Sequence, residues 1–356
     1  MSTLFPPLPE PPRRALLEAD LPEGEPWGWR LAALLLEAED LARKLLTQGL
    51  SPGLAQVIED ELLALRQRLH VLRTSDRLAS FGLRPPLPAE VAALEVLEEG
   101  DAQSLLHLYR QHGYGAFARH SAYLFGGRLE AVPNPDPVSF AALVGFERQV
   151  AALRTNVERF LEGQPALSTL LYGARGCGKS TAVKALRTAY AARGLRLVEV
   201  LYPGLGQLPA LLEVLRPLPH KFVLYLDDLA FSAEDPGFHQ LKALLEGAVY
   251  QRPANVLVVA TSNRRNLINE SWADRPDPGS TDPAAWDTLQ NKLALADRFG
   301  LVLTFPPFDQ QGFLRTVSYL LERDLDDATR QAALRFAQEG RGFSGRTARQ
   351  FADWHR

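Results

Sequence analysis

The chain has 356 residues, enough for two or three domains with separate cores. Its 46% hydrophobic residues are dispersed, and no apolar run approaches the roughly 18–20 residues a membrane-spanning helix needs, so no such span is expected. A net charge of −3 excludes a global field drawing it onto nucleic acid or anionic lipid, and a single cysteine, Cys177, excludes a disulfide framework or a multi-cysteine metal centre.

Met1-Ser2-Thr3-Leu4-Phe5-Pro6-Pro7 has no basic segment leading into an apolar one, so no secretory signal is expected and the cytoplasm is the expected location. Residues 1–25 are rich in proline and acid and are expected to be poorly ordered. From Trp27 the pattern is helical, with Trp29, Leu31, Leu34, Leu35, Ala38, Leu41 and Leu45 recurring mostly at three- and four-residue steps. Further helices are expected near Leu54–Leu72, Ala89–Leu97, Ala102–Gln111 and Ala116–Leu124. Residues 1–130 are therefore read as an acidic, all-helical N-terminal domain. His107, His112 and His120 lie within it without metal-ligand spacing.

Alternating prolines in Ala131–Val138 bar helix and sheet alike and mark a linker. After it, short strand-like runs alternate with helices. Ser168–Tyr172, Leu195–Leu201, Phe222–Leu226, Asn255–Ala260 and Leu301–Phe305 are the expected strands, and Lys179–Arg193 is a helix closed by Gly194. Such alternation implies an α/β domain over 139–307, with about five parallel strands between helical layers. Trp272–Trp286, rich in Asp, Pro and Gly, reads as a surface loop. Beyond Pro306-Pro307 the chain is helical at Gln310–Glu322, Asp327–Gln338 and Ser344–Trp354, making 308–356 a lid.

The strongest motif is Gly173-Ala174-Arg175-Gly176-Cys177-Gly178-Lys179-Ser180-Thr181, a G-x-x-x-x-G-K-[ST] phosphate loop between an expected strand and helix. Its glycines let main-chain N–H groups close around phosphates at a helix N-terminus. Lys179 is then the counter-charge for the β- and γ-phosphates, and Ser180 a ligand for Mg²⁺. Cys177 reads as a small filler, or as a thiol whose pKa falls at the helix N-terminus and whose alkylation blocks ATP. Phe222–Leu226 runs into Asp227 and Asp228. A buried central strand delivers carboxylates only at its end, where Asp227 is placed to hold Mg²⁺ and Asp228 to orient or deprotonate water.

These residues resemble the AAA+ class of P-loop ATPases. In its terms Asn263, ending Val256–Asn263, resembles the first sensor that polarises the attacking water. Arg298 in Asp297-Arg298-Phe299-Gly300 resembles the arginine finger that enters a neighbouring subunit's site. Arg346 after Gly345 resembles the second sensor, with Arg349 one turn on as the other candidate. Val144-Gly145, with Gln149 following, resembles the segment that packs on adenine. Phe125-Gly126-Gly127, Asp136-Pro137, Asp227-Asp228-Leu229, Ala260-Thr261-Ser262-Asn263-Arg264-Arg265 and Ser344–Phe351 together resemble a bacterial family of predicted AAA+ ATPases, the domain of unknown function numbered eight-one-five, over about Leu124–Trp354. Cys177 departs from the Thr expected there, and Asp228 from the Glu of the commonest AAA+ pattern.

The resemblance implies an ATP- and Mg²⁺-dependent ATPase that assembles into a homo-oligomer and remodels a partner, with the helical domain docking protein. The alternative it implies is a slow nucleotide switch or loader on nucleic acid. Paired Asp residues favour that alternative, and the acidic charge counts against it.

Overall fold

The computed structural model describes residues 33–75, 87–229, 236–246, 252–263, 297–340 and 342–355. The expectations for residues 1–25, Trp272–Trp286, Arg264 and Arg265 lie outside them. The chain divides into two compact units, one ending at His120 and taking in Pro217–His220, the other holding Ser121–Arg216 and Lys221–Arg356.

In the first unit the helices are α1 (Glu39–Gln48), α2 (Pro52–Ser75), α3 (Pro88–Glu99), α4 (Ala102–His112) and the short α5 (Gly115–Arg119). Leu35, Leu45, Ile58, Leu62, Ala93, Leu97 and Leu105 are buried, each on the apolar stripe of its segment. Two long polar side chains that enter this core are hydrogen-bonded to main-chain carbonyls. The Tyr109 hydroxyl donates to the Leu35 carbonyl at 2.6 Å, and the Arg66 guanidinium donates to the Leu97 and Val96 carbonyls in the last turn of α3 at 2.8 and 3.2 Å.

The second unit is built on a seven-stranded sheet of β1 (Ala122–Phe125), β2 (Leu129–Ala131), β3 (Thr169–Gly173), β4 (Leu195–Val200), β5 (Lys221–Leu226), β6 (Val256–Ser262) and β7 (Leu301–Phe305). Their order across the sheet is β2-β1-β4-β5-β6-β3-β7. Only the β1–β2 pair is antiparallel. The five strands expected from sequence occupy adjacent places.

The other two are a correction. The helix expected over Ala116–Leu124 stops at Arg119, and Ala122–Phe125 pairs with β4 instead, from Ala122 opposite Leu197 to Phe125 opposite Val200. Gly126-Gly127 then turns the chain into β2. Apolar periodicity over nine residues could not distinguish these outcomes, because the strand's partner lies some seventy residues on.

Every residue of β6 is buried, as a central parallel strand covered on both faces requires. On one face α6 (Glu147–Leu161) and α7 (Lys179–Tyr190) pack Leu153, Val157, Phe160, Val183 and Leu186 against Leu171, Val223, Leu257, Val259 and Phe305. Two further helices, α8 (Leu208–Leu215) and α9 (Pro236–Glu246), precede and follow β5. The lid helices α10 (Gln310–Leu321), α11 (Asp327–Gln338) and α12 (Gly345–Trp354) share a core of Phe313, Val317, Ala333, Ala348 and Phe351. Each begins at a side-chain cap: Asp309, Asp326 and Ser344 accept from the Gly312, Thr329 and Thr347 amides at 2.6, 2.7 and 3.0 Å. Such caps are worth about 1 kcal/mol apiece. No helix among the described residues is long and apolar enough to cross a membrane.

Candidate nucleotide-binding site

The phosphate loop leaves β3 and enters α7 as its motif requires. Two of its glycines have definite steric reasons. A Cβ on Gly173 would stand 1.9 Å from the Phe305 carbonyl oxygen of β7, so only glycine lets β3 end this close to its neighbour. Gly178 caps α7 at φ 92°, a left-handed conformation open to glycine, with Leu143 packed where a side chain would project.

Lys179 is 6% exposed, and three oxygens satisfy its ammonium. It donates to the Gly173 and Ala174 carbonyls, both at 2.8 Å, and to Asn263 Oδ1 at 3.0 Å. Asn263 Nδ2 in turn donates to Asp228 Oδ1. A continuous hydrogen-bonded chain thus runs from the ammonium through the amide to the second carboxylate. Asp228 holds a φ of 48°, and its amide donates to Thr261 Oγ1 at 2.8 Å. Non-glycine residues adopt this region at a cost, Asp and Asn least, and here it turns the carboxylate off β5 toward Asn263.

Beside this chain lies a second group. Asp227 Oδ1 accepts from Ser180 Oγ at 2.9 Å and from Thr261 Oγ1 at 2.6 Å. Burial alone would raise the Asp227 pKa. The hydroxyls of Thr261, Tyr225 and Ser180 and the nearby Lys184 ammonium outweigh it and hold the carboxyl below its usual range. It is therefore an anion at neutral pH, facing a hydroxyl across a distance that suits paired ligands of one hard cation.

Lys179, Ser180, Asp227, Asp228, Thr261 and Asn263 line one cavity of 1270 Å³. Arg175, Gly176, Cys177, Gly178 and Thr181 line it too. On the α6 side its wall is made by Ala142, Leu143 and Phe146, so Val144 and Gly145 are displaced from the lining by their immediate neighbours. Gln149 instead ties α6 to β7, donating to the Thr304 carbonyl at 2.8 Å. The opposite wall comes from the lid, through Phe308, Thr316, Tyr319, Arg346 and Arg349. Lid and loop also meet directly, since the Gly345 amide donates to the Gly176 carbonyl at 2.8 Å. Arg298 is exposed on the turn before β7 and is not among the lining residues.

Thr261 is the residue that sequence reading missed. It was visible only as part of the Thr261-Ser262-Asn263 run ending β6. Its hydroxyl joins both acids, fixing Asp227 by donation and Asp228 by acceptance.

The expected lowering of the Cys177 thiol pKa is overturned. Cys177 is 1% exposed, its Sγ donates to the Ala174 carbonyl at 2.8 Å, and burial pushes the thiol up despite the Lys179 ammonium. In the ligand-free protein at about pH 7.5, Cys177 should react with maleimide at least about tenfold more slowly than a free thiol. Cys177→Ala should keep ATP affinity within about threefold, because Ala174 retains Lys179 as a donor. Rapid labelling of the folded chain would show that the thiol is reached from the cavity.

The family described as protein of unknown function (DUF815) matches residues 115–356, more than half of the chain. The chain belongs to the DUF815 family. Among solved structures, the DUF815 chain is similar to the RuvB Holliday junction branch migration motor of Thermotoga maritima, with 16% identity over 61% of this chain and 63% of that one and a TM-score of 0.42. It is also similar to the FIGL-1 AAA domain in complex with ADP, with 20% identity over 62% of this chain and 73% of that one and a TM-score of 0.39. The match thus spans less than two thirds of the length of RuvB. No curated protein matches the sequence.

Proposed function

We propose that this chain is an ATPase of the AAA+ class that binds ATP with Mg²⁺ in the cavity between phosphate loop and lid, and hydrolyses it as a homo-oligomer to act on a macromolecular partner. One observation carries the reading. Lys179, Ser180, Asp227, Asp228 and Asn263 come from three separate chain segments and form adjoining hydrogen-bonded groups in one cavity. A structural ion-pair cluster has no need of a glycine loop at a helix N-terminus beside it; a triphosphate site needs both.

Each group has a role consistent with its position. The loop amides and the N-terminus of α7 supply partial positive charge. Lys179 supplies a full one, and its present acceptors show that it reaches across the loop to Asn263. Ser180 and the ionised Asp227 would hold Mg²⁺, which when bound neutralises charge on the phosphate oxygens. Asp228 is the proposed base and Asn263 its positioning partner. Leu143, Phe146, Phe308 and Tyr319 offer apolar and aromatic surface to a base. Arg346 is the proposed second sensor, because its Cβ lies 3.7 Å from where a Cβ on Gly176 would stand.

Titration calorimetry with ATP and Mg²⁺ tests the reading. The parent chain should bind, and Lys179→Ala should bind about 100-fold more weakly, the loss expected for one or two charge-assisted hydrogen bonds. Circular dichroism should show both folded. No binding heat from the parent at millimolar ATP, or equal affinity in the variant, would remove the nucleotide from this cavity.

A further inference from the structure

We propose that Gly345 is a positioning residue for the phosphate loop, its amide holding the peptide between Gly176 and Cys177 in the orientation that binds phosphate. The inference rests on the reading of this cavity as a nucleotide site.

Lid and loop touch where neither has room for a side chain. A Cβ on Gly176 would stand 2.9 Å from Ser344 Cβ, and a Cβ on Gly345 would stand 3.1 Å from the Gly176 carbonyl oxygen. At this contact the Gly345 amide donates to the Gly176 carbonyl at 2.8 Å. Gly345 opens α12, and the first four amides of a helix have no acceptor within it. The lid therefore lends the loop a donor that its own helix does not use. Ser344 caps the same turn by accepting from the Thr347 amide at 3.0 Å, so that donor is carried on a formed helix end.

In a trans peptide the carbonyl of one residue and the N–H of the next point in opposite directions. The bond that holds the Gly176 carbonyl against α12 thus turns the Cys177 N–H away from α12, into the bend of the loop. Gly176 has a φ of 75°, and as a glycine it can let the following peptide turn over at little cost. Turned over, that unit would present a carbonyl where a phosphate needs a donor. The Gly345 amide selects the other orientation. By linkage the effect is mutual: if the seated lid favours bound phosphate, bound phosphate favours the seated lid by the same factor. This contact exists before any nucleotide arrives, so it does not depend on the Arg346 guanidinium.

Gly345→Pro in the full chain tests the role. Proline suits the first position of a helix, and Ser344 before it is already extended, at φ −155° and ψ 160°. The variant lacks the N–H and sets a methylene where the proton was. Without nucleotide, maleimide should label Cys177 about tenfold faster than in the parent, and ATP affinity should fall about tenfold, the worth of one hydrogen bond. Gly345→Ala keeps the donor and should stay within about threefold of the parent in both measurements. Arg346→Ala should leave the nucleotide-free labelling rate unchanged. Amide hydrogen exchange on the parent needs no variant to fold: the Gly345 amide should exchange about tenfold more slowly once ATP is bound. Parent-like labelling in Gly345→Pro, equal effects of alanine and proline, faster labelling in Arg346→Ala, or Gly345 exchange indifferent to ATP would overturn the role and leave the nucleotide site standing. Faster labelling of Gly345→Pro beside a parent that binds no ATP would instead overturn the nucleotide reading.

Discussion

Arg298→Ala is expected to lower ATP turnover by about 10³–10⁵-fold while ATP affinity stays near that of the parent. The guanidinium is exposed and is not among the residues lining its own chain's cavity, so deleting it removes nothing from that cavity. It stands just before β7, the strand paired with β3 along the whole length that feeds the phosphate loop. In the proposed oligomer this rigid edge presents the arginine to the next copy, where its charge stabilises the transferring phosphoryl group. Two measurements bear on it. Turnover per chain should climb with protein concentration. Mixing Arg298→Ala with Lys179→Ala should restore activity, because one variant keeps an intact cavity and the other an intact finger. Turnover independent of concentration, or a mixture as inactive as its parts, would eliminate action between copies.

Asp228→Asn is expected to bind ATP and Mg²⁺ as tightly as the parent and to turn over about 10²–10⁴-fold more slowly, the usual contribution of a general base. Asparagine is nearly isosteric, tolerates the positive φ, and can still accept from Asn263 through its oxygen. The neighbouring Ser180–Asp227–Thr261 group is untouched. What disappears is the ability to take a proton from water. Single-turnover rates should fall with the steady-state rate, which places the defect in the chemical step. Turnover within tenfold of the parent would relieve Asp228 of that role and leave it a structural partner of Asn263.

These two substitutions sit at opposite ends of what a sequence can convey. Asp228 is legible because an apolar strand followed by two acids, fifty residues after a phosphate loop, has few physical meanings. Its left-handed backbone and its bond to Asn263 are not legible, since both depend on where β6 ends relative to β5. Thr261 shows the same limit. A threonine closing a strand is unremarkable until its hydroxyl is found between two carboxylates. Cys177 shows the reverse error: proximity to a helix N-terminus suggested a lowered pKa, and burial decided otherwise.

Local chemistry by itself determined the glycine-rich loop between β3 and α7, the five adjacent strands and the lid helices. It could do so because glycine spacing, strand-length apolar runs and capping residues act within a few residues of where they are written. Only the tertiary structure decided that Ala122–Phe125 is a strand, that Leu143 and Phe146 rather than Val144 and Gly145 face the cavity, and that Thr261 bonds to Asp227. Those outcomes follow from contacts between segments tens of residues apart, whose free energy exists only once the sheet has brought them together.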